Sequence, residues 1–296
     1  MGTSKSYGGP ADRLLPSLPA GGDGPGDGPP PGPEGEPGDK GPEAPNGDPP
    51  SDRPTPPDNP APQPMRPPVV RPWATAKGSL GRTVRANDRP RDYRSTARDY
   101  VRARGGPRRA AESATAGRSA TSRFAGFLSS FSSGGAAAAA RVLGLASLAG
   151  QSVDAVLAAV TNALAPEGAT LEEAAARSAI AGTLAELYDK WGVEVGGLER
   201  LQAMTPDDIR AAVTESVAAY IFVRWSLELG LAIERKAVSA HDAAVMEGEM
   251  RQYIRNTLRL DLSTTDVLSV DWNGDAGGRI IAKVFQDAYA LIETPI

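Results

Sequence analysis

The chain has 296 residues with 32 basic and 36 acidic side chains, a formal net charge of −4, one histidine and no cysteine. The missing thiols exclude disulfides, thiolate zinc sites and a cysteine nucleophile, and the single His241 excludes a multi-histidine metal site. The charge is uneven: residues 1–70 carry 5 basic and 10 acidic groups, 71–123 carry 14 and 4, and 124–296 carry 13 and 22.

The first ten residues read MGTSKSYGGP. Removal of the initiator methionine is expected to leave Gly2 with a free, unhindered α-amine. Gly2 and Ser6 also fit the N-myristoylation pattern. The Ala, Arg, Gly and Pro usage, of the kind a GC-rich bacterial genome produces, argues against that modification. The plain alternative is a flexible terminus. No apolar stretch typical of a signal peptide follows and no long uncharged apolar run occurs, so a cytoplasmic protein is the expectation.

Residues 1–72 hold 22 of the 27 prolines and few clustered apolar residues. Such a segment cannot bury enough apolar surface to offset its ordering entropy, so residues 1–70 are expected to be a disordered Pro/Gly-rich tail. PPPGP and PTPPDNPAPQP favour a semi-extended polyproline II spacer, with a Pro-rich ligand as a lesser alternative; no strict Gly-X-Y period supports collagen.

Residues 71–134 read as a basic, Arg-rich, partly helical linker, with two near-copies, RDYR at 91–94 and RDYVR at 98–102. A basic block between acidic flanks points to an anionic partner or to the chain's own acidic part. Arginine interleaved with tyrosine can hold phosphates and stack on bases. Arg91, Tyr93, Arg94, Arg98, Tyr100, Arg102, Arg104, Arg108 and Arg109 are therefore the candidate contacts to nucleic acid or a protein partner. Asp92 and Asp99 would repel phosphate, which favours docking on acidic protein surface. Within 124–135, Phe124, Phe127, Leu128 and Phe131 stand at helical spacing and predict a short helix packed on the core.

Residues 135–296 predict helix after helix. A run from Ala136 ends at Gly150. Ser152 caps the next, which stops before Pro166. Thr170 and Glu173 form a capping box for a helix ended by Gly192, and 192–204 is a linker with one short helical turn. Residues 205–236 form the central helix, with Thr205 at the N-cap, Pro206 at the first position and Asp207 and Asp208 in the first turn. Its run from Ala218 to Val223 is apolar all round, so other helices should wrap it. Ser239 with Asp242 opens the next helix, Ser263 with Asp266 a short one ending near Trp272, and Asp275 precedes the last. No alternating strand pattern is found. The expected fold is all-α, a bundle of about six to eight helices behind a long disordered and basic N-terminal region.

No phosphate-binding loop, zinc-protease helix or nucleophile elbow occurs. Asp271, Asn273 and Asp275 begin like a calcium loop, but the glycine is displaced and Ala282 stands where the bidentate glutamate belongs, so a turn is the better reading. The residues predict no enzyme, no cofactor and no metal.

Five strings carry a resemblance: 1–10 (MGTSKSYGGP), 98–106 (RDYVRARGG), 162–174 (NALAPEGATLEEA), 216–221 (SVAAYI) and 266–272 (DVLSVDW). In these the chain resembles the QatB proteins of the bacterial Qat anti-phage defence system. The resemblance implies a role in phage defence beside an ATPase, a QueC-like enzyme and a TatD-like nuclease. QueC-type enzymes activate the carboxylate of a 7-deazaguanine precursor with ATP for attack by an amine, so the N-terminal glycine, Gly2, is a candidate acceptor. The alternative is a structural scaffold whose helices bind the ATPase and whose basic region binds nucleic acid.

Overall fold

Side-chain caps decide where most of the helices begin. The computed structural model describes residues 72–86, 91–146, 151–193, 197–234 and 239–294. These form α1 (Pro72–Val84), α2 (Tyr93–Ala103), α3 (Pro107–Glu112), α4 (Thr115–Val142), α5 (Val153–Leu164), α6 (Leu171–Trp191), α7 (Pro206–Glu234), α8 (Ala240–Thr257) and α9 (Asp275–Glu293). A 3-10 turn, Leu198–Ala203, precedes α7, and no strand occurs among the described residues. The Pro/Gly-rich segment and Gly2 lie outside them.

Ser152 and Ser239 accept hydrogen bonds from the amides of Ala155 and Asp242, as N-caps do. Both halves of the Thr170–Glu173 capping box are made, and Gly192 ends α6 in the left-handed region at φ 58°. At the start of α7 the Thr205 amide and hydroxyl donate to Asp208 Oδ2 at 3.0 and 2.7 Å. Arg177 of α6 donates to the Ala165 carbonyl at 2.9 Å, satisfying an acceptor just past the end of α5.

The long helix α7 is the axis of the bundle. It packs against α6 most extensively, then α8, α4, α1 and α9. Ile209, Val213, Val217, Tyr220, Ile221, Phe222, Trp225 and Leu229 are all buried. Each large apolar side chain removed from water contributes roughly 1.5–3 kcal/mol. Tyr220 meets Phe285 of α9 edge-on, ring centres 5.4 Å apart, which ties the last helix to the axis.

Two expectations differ from the structure. The short helix 124–135 and the run from Ala136 are joined in α4, which starts nine residues earlier, at Thr115, and ends at Val142 rather than Gly150. The two halves still meet at a break, Gly135, whose backbone at φ 70° and ψ −168° suits glycine alone. The helix expected from Ser263 is a series of turns. Ser263 bonds backwards through its amide and hydroxyl to Asp261 Oδ1, at 2.9 and 2.6 Å, while Asp266 accepts from the Leu268 amide at 3.3 Å. Such local side-chain bonds compete with helix nucleation in a short segment. Trp272 then locks the turns, donating Nε1–H to the Val267 carbonyl at 2.9 Å.

The basic stretch enters the same core. Leu80, Val84, Tyr93, Ala97, Tyr100 and Val101 are buried in one cluster with the α7 residues, and α4 continues past residue 135 across the break at Gly135.

Candidate functional site

The nine candidate contact residues of the basic stretch fall into two groups. Tyr93 and Tyr100 have their rings covered by protein, at 9 % and 1 % exposure. Tyr93 donates its hydroxyl to Glu249 Oε2 of α8 at 2.6 Å, and Arg91 donates to the same oxygen at 2.8 Å. These two partners hold the Glu249 carboxyl below its usual range, the Tyr93 hydroxyl having the larger effect. Tyr100 packs edge-on to Trp73.

The arginines mostly meet carboxylates of this chain. Arg102 donates to Glu293 at 3.3 Å, Arg104 to Glu228 at 2.8 Å and Arg108 to Glu112 at 2.8 Å, while Arg98 lies 3.7 Å from Asp99. Arg94 and Arg109 are exposed. Asp92, which weighed against phosphate, caps α2 by accepting from the Ser95 amide at 2.9 Å.

A buried polar network on α7 brings distant segments together. Arg224, 5 % exposed, donates Nε–H to Glu228 Oε1 at 3.0 Å and Nη1–H both to the Tyr220 hydroxyl at 2.8 Å and to the Ser113 carbonyl at 3.1 Å. Arg104 reaches the same Glu228 oxygen from the end of α2 and also bonds the Ser113 hydroxyl. The Tyr220 hydroxyl donates to Glu172 Oε1 at 2.7 Å. Glu172, second residue of α6, also accepts the amides of Ala116 and Gly117 at 2.9 and 3.0 Å. Those are the second and third residues of α4, whose own N-cap position, Ala114, has no side chain able to bond them. Glu172 is thus a cap lent by one helix to another, and its charge also complements the α4 dipole.

The electrostatics of this network keep it fixed. Burial pushes the hydroxyls of Tyr220 and Tyr100 well up, and that of Tyr289 up to about 12. Burial works against the Arg224 charge, yet the oxygens of Tyr220, Tyr289 and Tyr100 and the Glu228 carboxylate keep its pKa above the ordinary value. None of these four groups exchanges a proton near neutral pH. The arrangement can hold helices in register, and its tyrosines and Arg224 are unsuited to acid–base work.

Sequence reasoning missed Glu172, Tyr220, Arg224 and Glu228 as a unit. The available signal was a charged pair one helical turn apart, Arg224 and Glu228, inside the most apolar stretch of the chain. Three of the strings that carry the family resemblance converge here: 98–106 supplies Arg104 and Tyr100, 162–174 supplies Glu172, and 216–221 supplies Tyr220. A fourth, 266–272, docks on α4, where Ser122 donates to the Trp272 carbonyl at 2.5 Å.

Among the described residues no group of three or more His, Asp or Glu is placed to hold a metal ion. Asp271 Oδ1 accepts the amides of Asn273 and Gly274, both at 3.1 Å, and so closes a turn. His241 is exposed. No described helix is long and apolar enough to cross a membrane. No curated protein and no solved structure matches the chain. The QatB family, described as Qat anti-phage system associated protein QatB, matches residues 105–292, and with well over half its length matched, from α3 into α9, the chain belongs to that family.

Proposed function

We propose that this component of the Qat anti-phage system is non-enzymatic and acts in the cytoplasm with an ATPase, a QueC-like enzyme and a TatD-like nuclease. Its N-terminal glycine is the acceptor for a deazaguanine attached by the QueC-like partner. The observation that carries the Qat membership is the family match over residues 105–292, while the part given to Gly2 and the named partners rests on the resemblance of the short strings, 1–10 among them. The non-enzymatic reading is supported by Tyr220 and Arg224, whose protonation is fixed near neutral pH and whose hydrogen bonds join helices to one another.

The chemistry asked of Gly2 is simple. The partner activates a carboxylate with ATP, the glycine α-amine attacks the activated carbonyl, the activating group leaves, and the amine gives up a proton as the amide forms. An α-amine with a pKa of about 8 is partly neutral at cellular pH and so is nucleophilic without help from this chain. The Pro/Gly composition of the residues that follow suits a spacer that lets the terminus enter another protein's pocket.

The test is the intact mass of the protein co-expressed with its QueC-like neighbour against the protein expressed alone. A mass gain on the N-terminal peptide, abolished together with defence by Gly2→Pro, is the expected result. Identical masses, with defence surviving Gly2→Pro, would overturn it. That outcome favours the second reading, a scaffold whose basic region binds nucleic acid, for which the surface positions of Arg94, Arg98, Arg108 and Arg109 speak.

A further inference from the structure

One face of α4 gathers hydroxyl and guanidinium groups. Thr115, Arg118, Ser119, Ser122 and Arg123 follow a helical stripe and, with the turn at Trp272–Gly274, line a surface cleft of about 490 Å³. Small-molecule sites are typically clefts of about 300–1,000 Å³. The groups offered are two guanidinium ions, three hydroxyls and the Asn273 amide, and no carboxylate lines the cleft.

Two of the neighbouring acids are already engaged, while Asp275, the first residue of α9, is exposed beside the cleft without lining it. Asp271 is folded into its own turn, and Glu112 takes Arg108. Several backbone amides beside the cleft are engaged as well: those of Ala116 and Gly117 point at Glu172, and those of Gly274 and Gly277 at Asp271. Recognition therefore falls to side chains.

Two of them are set for it. Arg118 is tethered by one Nη2–H bond to the Glu112 carbonyl at 3.3 Å, while its Nε–H, shielded from solvent, makes no hydrogen bond within the protein. Arg123 and Ser119 are exposed one turn apart on the same face. Ser122 and Trp272 close the floor through their short hydrogen bond, and Gly278 leaves the far wall open, with no heavy atom within 4 Å of where a Cβ would stand.

We propose that this cleft binds a nucleoside phosphate, its phosphate oxygens held by Arg118 and Arg123 and its sugar or base hydrogen-bonded by Ser119 and Asn273. Planar guanidinium groups beside hydroxyl donors match phosphate oxygens in both charge and geometry. The volume is that of a small-molecule site, and no carboxylate lines it, which separates it from the paired arginines of α2 and α3. The proposal is independent of what happens at Gly2.

Isothermal titration of the full-length protein with ATP at low ionic strength tests it. Saturable binding is expected, weakened about tenfold or more by Arg123→Ala or Ser119→Glu, both at exposed positions that leave the fold intact. Arg200→Ala, an exposed arginine outside the cleft, should leave the affinity unchanged. No saturable binding up to millimolar ATP overturns the proposal. So does an equal loss from Arg200→Ala, which would mean general charge attraction. Binding of a short single-stranded oligonucleotide without binding of ATP overturns it in favour of a polynucleotide surface.

Discussion

Replacing Glu172 by alanine tests the borrowed cap directly. The substitution removes the acceptor of two amides at the start of α4 and of the buried Tyr220 hydroxyl. Loss of an N-cap acceptor costs roughly 0.5–2 kcal/mol, and loss of a hydrogen bond to a charged group roughly 1.5–3 kcal/mol. The Tyr220 oxygen still accepts from Arg224, so the second figure applies at its lower end. The expected total is about 2–4 kcal/mol, which for a domain of this size lowers the melting temperature by roughly 5–12 °C. Urea denaturation should show a lower midpoint at unchanged slope. Glu172→Gln, which keeps the shape and one acceptor, should cost about half as much. In a Tyr220→Phe background the cost of Glu172→Ala should shrink by about 1 kcal/mol, because the shared bond is already gone. A loss below about 0.5 kcal/mol for Glu172→Ala in the wild-type background would refute the cap and make the contact incidental.

Two further outcomes are expected. Gly117→Ala should destabilise by about 1–3 kcal/mol, because the added Cβ runs into the Tyr220 ring, whereas Gly182→Ala, with no atom within 4 Å of its Cβ position, should stabilise by about 1 kcal/mol in the same urea assay. Glu249 and Asp208 both have carboxyl pKa values held down, by the Tyr93 and Thr205 hydroxyls first. A depressed carboxylate stabilises the fold above its unfolded pKa and loses that contribution as pH falls through its folded value. The denaturation midpoint should therefore drop between about pH 5 and pH 3, and Glu249→Gln should flatten that drop.

Most helices of the C-terminal part were legible because their ends are written in side chains that act locally. Ser152, Thr170, Thr205, Ser239 and Gly192 each bond or turn within four residues, so no knowledge of the fold is needed to read them. The helices of the basic stretch were legible only in part. In α2 the buried positions Tyr93, Ala97, Tyr100 and Val101 keep a helical spacing, but arginines on the remaining positions disguise it as a charge run. Long arginine stems cover apolar surface while their heads reach outward, so such a helix can be core on one side and highly charged in composition.

What an arginine does is harder to read than where a helix starts. Arg104 finds Glu228 across 124 positions and Arg102 finds Glu293 across 191, so their partners are set by topology and not by neighbours in sequence. Local pattern, through Asp92 and Asp99, favours a protein carboxylate over a foreign phosphate but does not say which carboxylate each arginine meets. The Arg224 network shows which features narrow the choice. An apolar core position accepts several residues of similar volume at modest cost. A buried guanidinium that shares Tyr220, Glu228 and a backbone carbonyl accepts few, because removing one partner leaves another charge or donor unsatisfied. Three strings far apart in the chain must then be specified together for one network to close.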